Sequence, residues 1–144
     1  MLLASLPKQD GFRMPGEFEP HEGCLMIWPR RPGSWPFGAR AAREAFAAVA
    51  RGICRSETLW MLVWPEDLPE ARRLLPPSVR LVPLQTDDAW ARDVGPTFLL
   101  NREGVLRGVN WEFNAWGGEY DGLYSHWEQD NQAAPAFCRF LGAD

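Results

Sequence analysis

The sequence predicts a single α/β domain in which helices flank mixed sheets, and three observations lead there. Short apolar runs of strand length are each closed by a proline, as in Cys24-Leu25-Met26-Ile27-Trp28 before Pro29. Segments with apolar residues at helical spacing alternate with those runs. Two further strand-like runs flank Asn101-Arg102-Glu103-Gly104, a hairpin turn by composition. A chain of 144 residues is one domain's worth and is long enough to bury a core.

Residues 1–20 read as an irregular opening segment, punctuated by Pro7, Gly11, Pro15, Gly16 and Pro20. The run from Cys24 to Trp28 fits a strand covered on both faces. Pro32, Gly33 and Pro36 mark a loop, and Ser34 or the Pro36 neighbourhood can start the helix that follows. From about Phe37 to Arg55, Ala42, Ala45, Phe46, Val49 and Ile53 recur at helical spacing between charges. Thr58 to Trp64 is the clearest buried strand, and Pro65 closes it. Glu66 to Leu75 makes a short helix, with Pro69 in its first turn and Pro76-Pro77 beyond its end. Val79 to Leu84 is a third strand, and the hairpin pairs Pro96–Leu100 with Val105–Trp111. The paired glycines of Phe113-Asn114-Ala115-Trp116-Gly117-Gly118 suit an unusual bend or a close approach to a ligand. A final helix from about Trp127 to Leu141 carries Ala133, Ala136, Phe137 and Phe140 on one stripe.

A formal charge of −4 argues against a nucleic-acid partner, which would favour a basic face. No apolar run approaches the ~20 residues of a membrane span, and no Gly-x-Gly-x-x-Gly or Walker loop supports a nucleotide. Cys24, Cys54 and Cys138 are odd in number and far apart, without zinc-ligand spacing. Reduced thiols in a cytoplasmic setting fit them, each as a small buried hydrophobe. His21 and His126 suit surface or capping roles. Eight tryptophans suit the walls of a partly wet cleft, because a buried indole N–H wants a partner.

The chemistry concentrates in Thr86-Asp87-Asp88-Ala89-Trp90-Ala91-Arg92-Asp93-Val94-Gly95-Pro96-Thr97, which follows the third strand without helical periodicity. A carboxylate grips two N–H groups of a guanidinium as a fork, and an indole face adds cation–π attraction. The segment therefore points to a site for a planar guanidino or amidino cation. The plainer alternative is that Arg92 pairs with Asp87 or Asp88 to hold a loop.

Four stretches together are similar to the agmatine deiminases: Met14 to Cys24, Trp28-Pro29, Asp87 to Thr97, and Phe113 to Gly118. These enzymes belong to the guanidine-modifying superfamily of pentein fold, alongside bacterial-type peptidylarginine deiminases. The resemblance implies a propeller of five ββαβ modules with substrate in the central channel. It also implies hydrolysis of agmatine to N-carbamoylputrescine and ammonia, a step of putrescine synthesis, without metal or organic cofactor. By the same resemblance Asp93 binds the guanidinium and Trp90 lines the pocket. Asp87, Asp88 and Arg92 support them from behind, and Trp116 and Gly117 lie near the channel.

The family's nucleophilic cysteine, general-base histidine and glutamate motifs have no counterpart here. The resemblance therefore implies the N-terminal part of one such domain over residues 1–144, about two of five modules, with no catalytic residue and no turnover by itself. An arginine or peptidylarginine substrate, or a non-catalytic guanidinium-binding module, are the alternatives. The expected partner is a small guanidino compound, with neither nucleic acid nor membrane, and with room for a homo-oligomer of the full-length enzyme.

Overall fold

The structure is a computed structural model, and it describes residues 5–143. Residues 1–4 of the expected opening segment and Asp144 lie outside the described residues. Three strands, β1 (Gly23–Ile27), β2 (Thr58–Val63) and β3 (Arg80–Pro83), form a parallel sheet with β2 in the middle. Gly23 is in register with Thr58, and Trp60 with Arg80. Helices α1 (Arg40–Ile53) and α2 (Leu68–Leu74) make the two crossovers that parallel strands require. Gly23 is needed at the first contact, since a Cβ there would lie 2.3 Å from the Thr58 carbonyl oxygen and 2.5 Å from the Trp60 ring.

The continuous apolar run of β2 reflects burial on both faces. On one face Leu59, Met61 and Val63 pack with Ala47 and Ala50 of α1 and Ala71 of α2. On the other, Leu62 joins Ile27 and Val82 against Phe113, Tyr124 and Phe137. Arg43 of α1 is almost buried and ties the helical layer together. Its Nε donates to the Pro29 carbonyl at 2.9 Å, and its guanidinium pairs with Asp67 at 3.0 Å and with Glu70.

After β3 the chain makes a loop and one helical turn, α3 (Ala91–Val94). Strands β4 (Thr97–Leu100) and β5 (Leu106–Val109) follow as a separate antiparallel pair. A short turn of helix, α4 (Gly118–Asp121), and the terminal α5 (Ala133–Leu141) complete the order. Among the described residues no helix is long and apolar enough to cross a membrane.

The α/β class and the strand–helix order are as expected, and three details differ. Parallel and antiparallel pairing is divided between two small sheets rather than mixed within one. The loop and α3 carry the chain away from β3, so β4 pairs with β5 and, through an isolated bridge, with Arg13. The Asp87–Asp93 segment contains a helical turn, because four residues are too few to show a period. The last α-helix begins at Ala133 rather than near Trp127, because the chain enters it through a 3-10 turn, Asp130–Gln132, whose approach the Asp87 carboxylate caps at the backbone N–H groups of Gln129 and Asp130.

Met61 is fully buried in the middle of the central strand. Met61→Ala is expected to cost about 2–5 kcal/mol, read as a lower urea midpoint. A loss within ~0.5 kcal/mol, typical of a surface site, would contradict this packing.

Candidate functional site

The loop leaving β3 lies at the carboxyl ends of the parallel strands, where open α/β sheets place ligands. Its anchor is an exchange between two acids. The Asp87 carboxylate accepts the backbone N–H of Gln129 at 2.9 Å and of Asp130 at 3.2 Å, and the Gln129 side-chain amide at 3.1 Å. In return Asp130 Oδ1 accepts the backbone N–H groups of Asp87 at 2.8 Å and Asp88 at 3.1 Å. Asp130 Oδ2 takes the Tyr124 hydroxyl at 2.8 Å. Asp130 is fully buried. Burial raises its pKa above the ordinary carboxylate range, against the opposing pull of these hydrogen bonds. Burial and the Asp130 carboxylate push the Tyr124 hydroxyl up as well.

Asp88 is also buried, and it orients aromatic rings. It accepts from Ser34 Oγ at 2.5 Å, from Trp35 Nε1 at 3.2 Å and from Trp90 Nε1 at 3.2 Å. Trp90 lies 6.0 Å from Trp116, edge to face at 86°. Trp116 donates its Nε1–H to Asp93 Oδ1 at 3.3 Å. No ion pair to Asp93 is present among the described residues. Trp90, Asp93, Ala115, Trp116, Asp121 and Leu123 line an open hollow of about 420 Å³.

The bend that carries Trp116 is strained. Ala115 and Trp116 both have positive φ, 53° and 64°, a conformation costing about 1–3 kcal/mol for a residue with a side chain. It is held by Gly118 N–H on the Asn114 carbonyl at 2.7 Å and Leu123 N–H on the Ala115 carbonyl at 2.9 Å. Gly117 does not line the hollow. A Cβ on it would meet the Asp121 carbonyl carbon at 2.3 Å, so its lack of a side chain serves the packing of α4.

The expected residues thus divide clearly. Asp93, Trp90 and Trp116 come together at the hollow; Asp87 and Asp88 stand behind it. Arg92 pairs with neither acid: it is exposed and bonds Glu17 instead. Sequence reasoning missed Asp121, which ends the short turn α4, and Asp130, which sits in a polar Gln-Asp-Asn stretch with no local signal of burial. The cysteines are half-buried rather than buried, and none reaches the hollow. His126 lines a second hollow of about 490 Å³, together with Arg30, Arg31, Trp64 and Asp87. Two arginines make that space unsuitable for a cation; they stack instead on Trp64 at 4.2 Å and Tyr124 at 3.8 Å.

The raised Asp130 pKa has a definite sign. The folded state binds the proton more tightly than the unfolded chain. The contribution is therefore full below the unfolded carboxylate value and lost as pH rises through the higher folded value. The stability of the native chain relative to Asp130→Asn should fall with rising pH across that window in urea titrations. A relative gain with pH would contradict the assignment.

The Porphyromonas-type peptidyl-arginine deiminase family matches residues 13–144. A solved structure of the agmatine deiminase of Enterococcus faecalis superposes with a TM-score of 0.96 at 46% identity, covering 99% of this chain and 39% of that one. A Listeria monocytogenes protein named "Putative agmatine deiminase 2" is 50% identical over 142 residues, 99% of this chain and 38% of its own length. The agmatine deiminase of C. jejuni, at 17% identity and a TM-score of 0.74, shares the fold. The chain spans about two fifths of the length of these relatives. With a match over nearly its whole length, the chain belongs to the Porphyromonas-type peptidyl-arginine deiminase family.

Proposed function

We propose that the hollow bounded by Asp93, Trp90 and Trp116 is the guanidinium-binding wall of an agmatine deiminase, acting in the hydrolysis of agmatine to N-carbamoylputrescine and ammonia. The observation that carries it is Asp93. Its carboxylate is held by one indole N–H at a hollow bordered by a second indole, with no cation among the described residues paired to it. A planar cation entering there meets a carboxylate for its N–H groups and aromatic faces for its charge. Asp88 fixes the Trp90 ring from behind, and Gly117 lets α4 pack closely enough to seat Trp116. Arg92 stands outside the reading.

Asp121 gives the same hollow a second acid. Agmatine carries a cation at each end, whereas arginine carries an α-carboxylate that this acid would repel. That observation favours agmatine over free arginine. The reading requires no metal or organic cofactor. Attack on the guanidinium carbon needs a thiolate and a proton-transfer group, and no described cysteine lines the hollow. The residues described here therefore bind and orient, within one agmatine deiminase-like domain whose resemblance suggests about two of five propeller modules. Nucleic acid and lipid play no part in it, and it leaves room for a homo-oligomer of the full-length enzyme.

Exposed ion pairs contribute about 0.2–1 kcal/mol and exposed cation–π contacts about 0.5–1 kcal/mol. Agmatine should therefore bind this chain weakly, with a dissociation constant on the order of 1 mM, by calorimetry or ligand-observed NMR. Putrescine, which has no guanidinium, should bind more weakly, and Asp93→Ala should lose up to about fivefold, ~1 kcal/mol. Equal affinity for agmatine in Asp93→Ala would remove the assignment. In a second comparison, Asp121→Asn should narrow the preference for agmatine over arginine; an unchanged ratio would dismiss Asp121 as the discriminating acid.

A further inference from the structure

Three metal-ligating side chains converge at the opposite end of the parallel sheet, away from the guanidinium hollow. His21 lies two residues before β1, Cys24 is the second residue of β1, and Glu57 immediately precedes β2. The parallel register, Gly23 beside Thr58, brings these strand starts together. Glu57 Oε2 lies 2.8 Å from His21 Nδ1 and 3.3 Å from the Cys24 sulfur, which donates its S–H to it. The three ligand atoms all lie within 4.8 Å of one another. Cys24 packs with Met26 on the α1–α2 face, so the cluster is removed from the Asp93 hollow in both senses.

Imidazole nitrogen, thiolate sulfur and carboxylate oxygen form a donor set suited to a borderline divalent ion rather than to calcium or magnesium. We propose that His21, Cys24 and Glu57 form a zinc-class transition-metal site, with water completing a tetrahedron. Bonds of about 2.0 Å to nitrogen and oxygen and about 2.3 Å to sulfur place tetrahedral ligand atoms roughly 3.3–3.5 Å apart. The His21–Glu57 pair must open by a few tenths of an ångström, and the cysteine and histidine must close together. Half-exposed His21 is free to make that adjustment. Binding forms a metal–sulfur bond and releases the thiol proton to solvent. In the metal-bound state the ring ligates through Nδ1 with a proton on Nε2, and any further imidazole proton passes to solvent. No electron is transferred. An ion held there would cross-link the starts of β1 and β2, a structural role distinct from guanidinium binding.

The test is titration of the reduced chain with zinc by calorimetry and with cobalt by absorption. The expected result is one ion per chain, with a thiolate-to-cobalt charge-transfer band in the near ultraviolet. Cys24→Ser should abolish that band, Cys138→Ser should retain it, and His21→Ala and Glu57→Gln should each weaken binding at least tenfold. His21→Ala changes an exposed side chain, so it keeps the test decisive if Cys24→Ser fails to fold. Three results would overturn the site: no binding at micromolar metal, a charge-transfer band surviving in Cys24→Ser, or undiminished affinity in His21→Ala.

Discussion

The mutual exchange of backbone N–H groups between the carboxylates of Asp87 and Asp130 is the constraint on which the site is built. The two acids are 43 residues apart in sequence, and each satisfies donors at the other's position. A buried carboxylate is costly unless its oxygens are fully used, and Asp130 spends both, on two amides and a tyrosine hydroxyl. The exchange fixes the loop leaving β3 against the segment entering α5. With that loop fixed, Asp88 faces inward to meet two indoles, and α3 starts where Asp93 can border the hollow.

The acidic residues therefore do different work according to their depth. Asp88 and Asp130 are buried and consumed by hydrogen bonds within the chain, so they position other groups. Asp93 and Asp121 are exposed at the edge of the hollow and remain available to a ligand. The left-handed Ala115–Trp116 bend completes the wall from the other side. Its strain is balanced by the hydrogen bonds that close the bend and by the packing of Trp116 against Phe113 at 5.1 Å and Tyr124 at 6.3 Å. The same Tyr124 is bonded to Asp130, so both walls refer to one buried group.

Much of this was legible in the residues. The Thr58–Trp64 run and the helical spacing of Ala42 to Ile53 are long enough for their period to declare them, and both elements formed nearly as expected. Asp93 and the two tryptophans stood out by their chemistry and by a long motif. The remainder depends on pairings between distant positions, which a linear pattern does not encode. Arg92 looked toward neighbouring acids but found Glu17, 75 residues earlier. Asp130 sits in a Gln-Asp-Asn stretch that reads as polar surface, and only the fold reveals its burial. Gly117 and Gly118 suggested the unusual bend, but positive φ falls on Ala115, Trp116 and Gly118, while Gly117 is spent on close packing. His21 and Cys24 carried no metal signal, because their third partner is brought in by strand register alone.

The indole N–H resonances offer the most direct view of which hollow takes the cation, because Trp90, Trp116 and Trp64 each report on a different wall. In two-dimensional NMR spectra with added agmatine, the Trp90 and Trp116 indole signals should shift together and saturate on one curve, while Trp64 beside the two arginines stays still. Shifts confined to Trp64, or spread equally over all the indoles, would contradict a guanidinium site at Asp93.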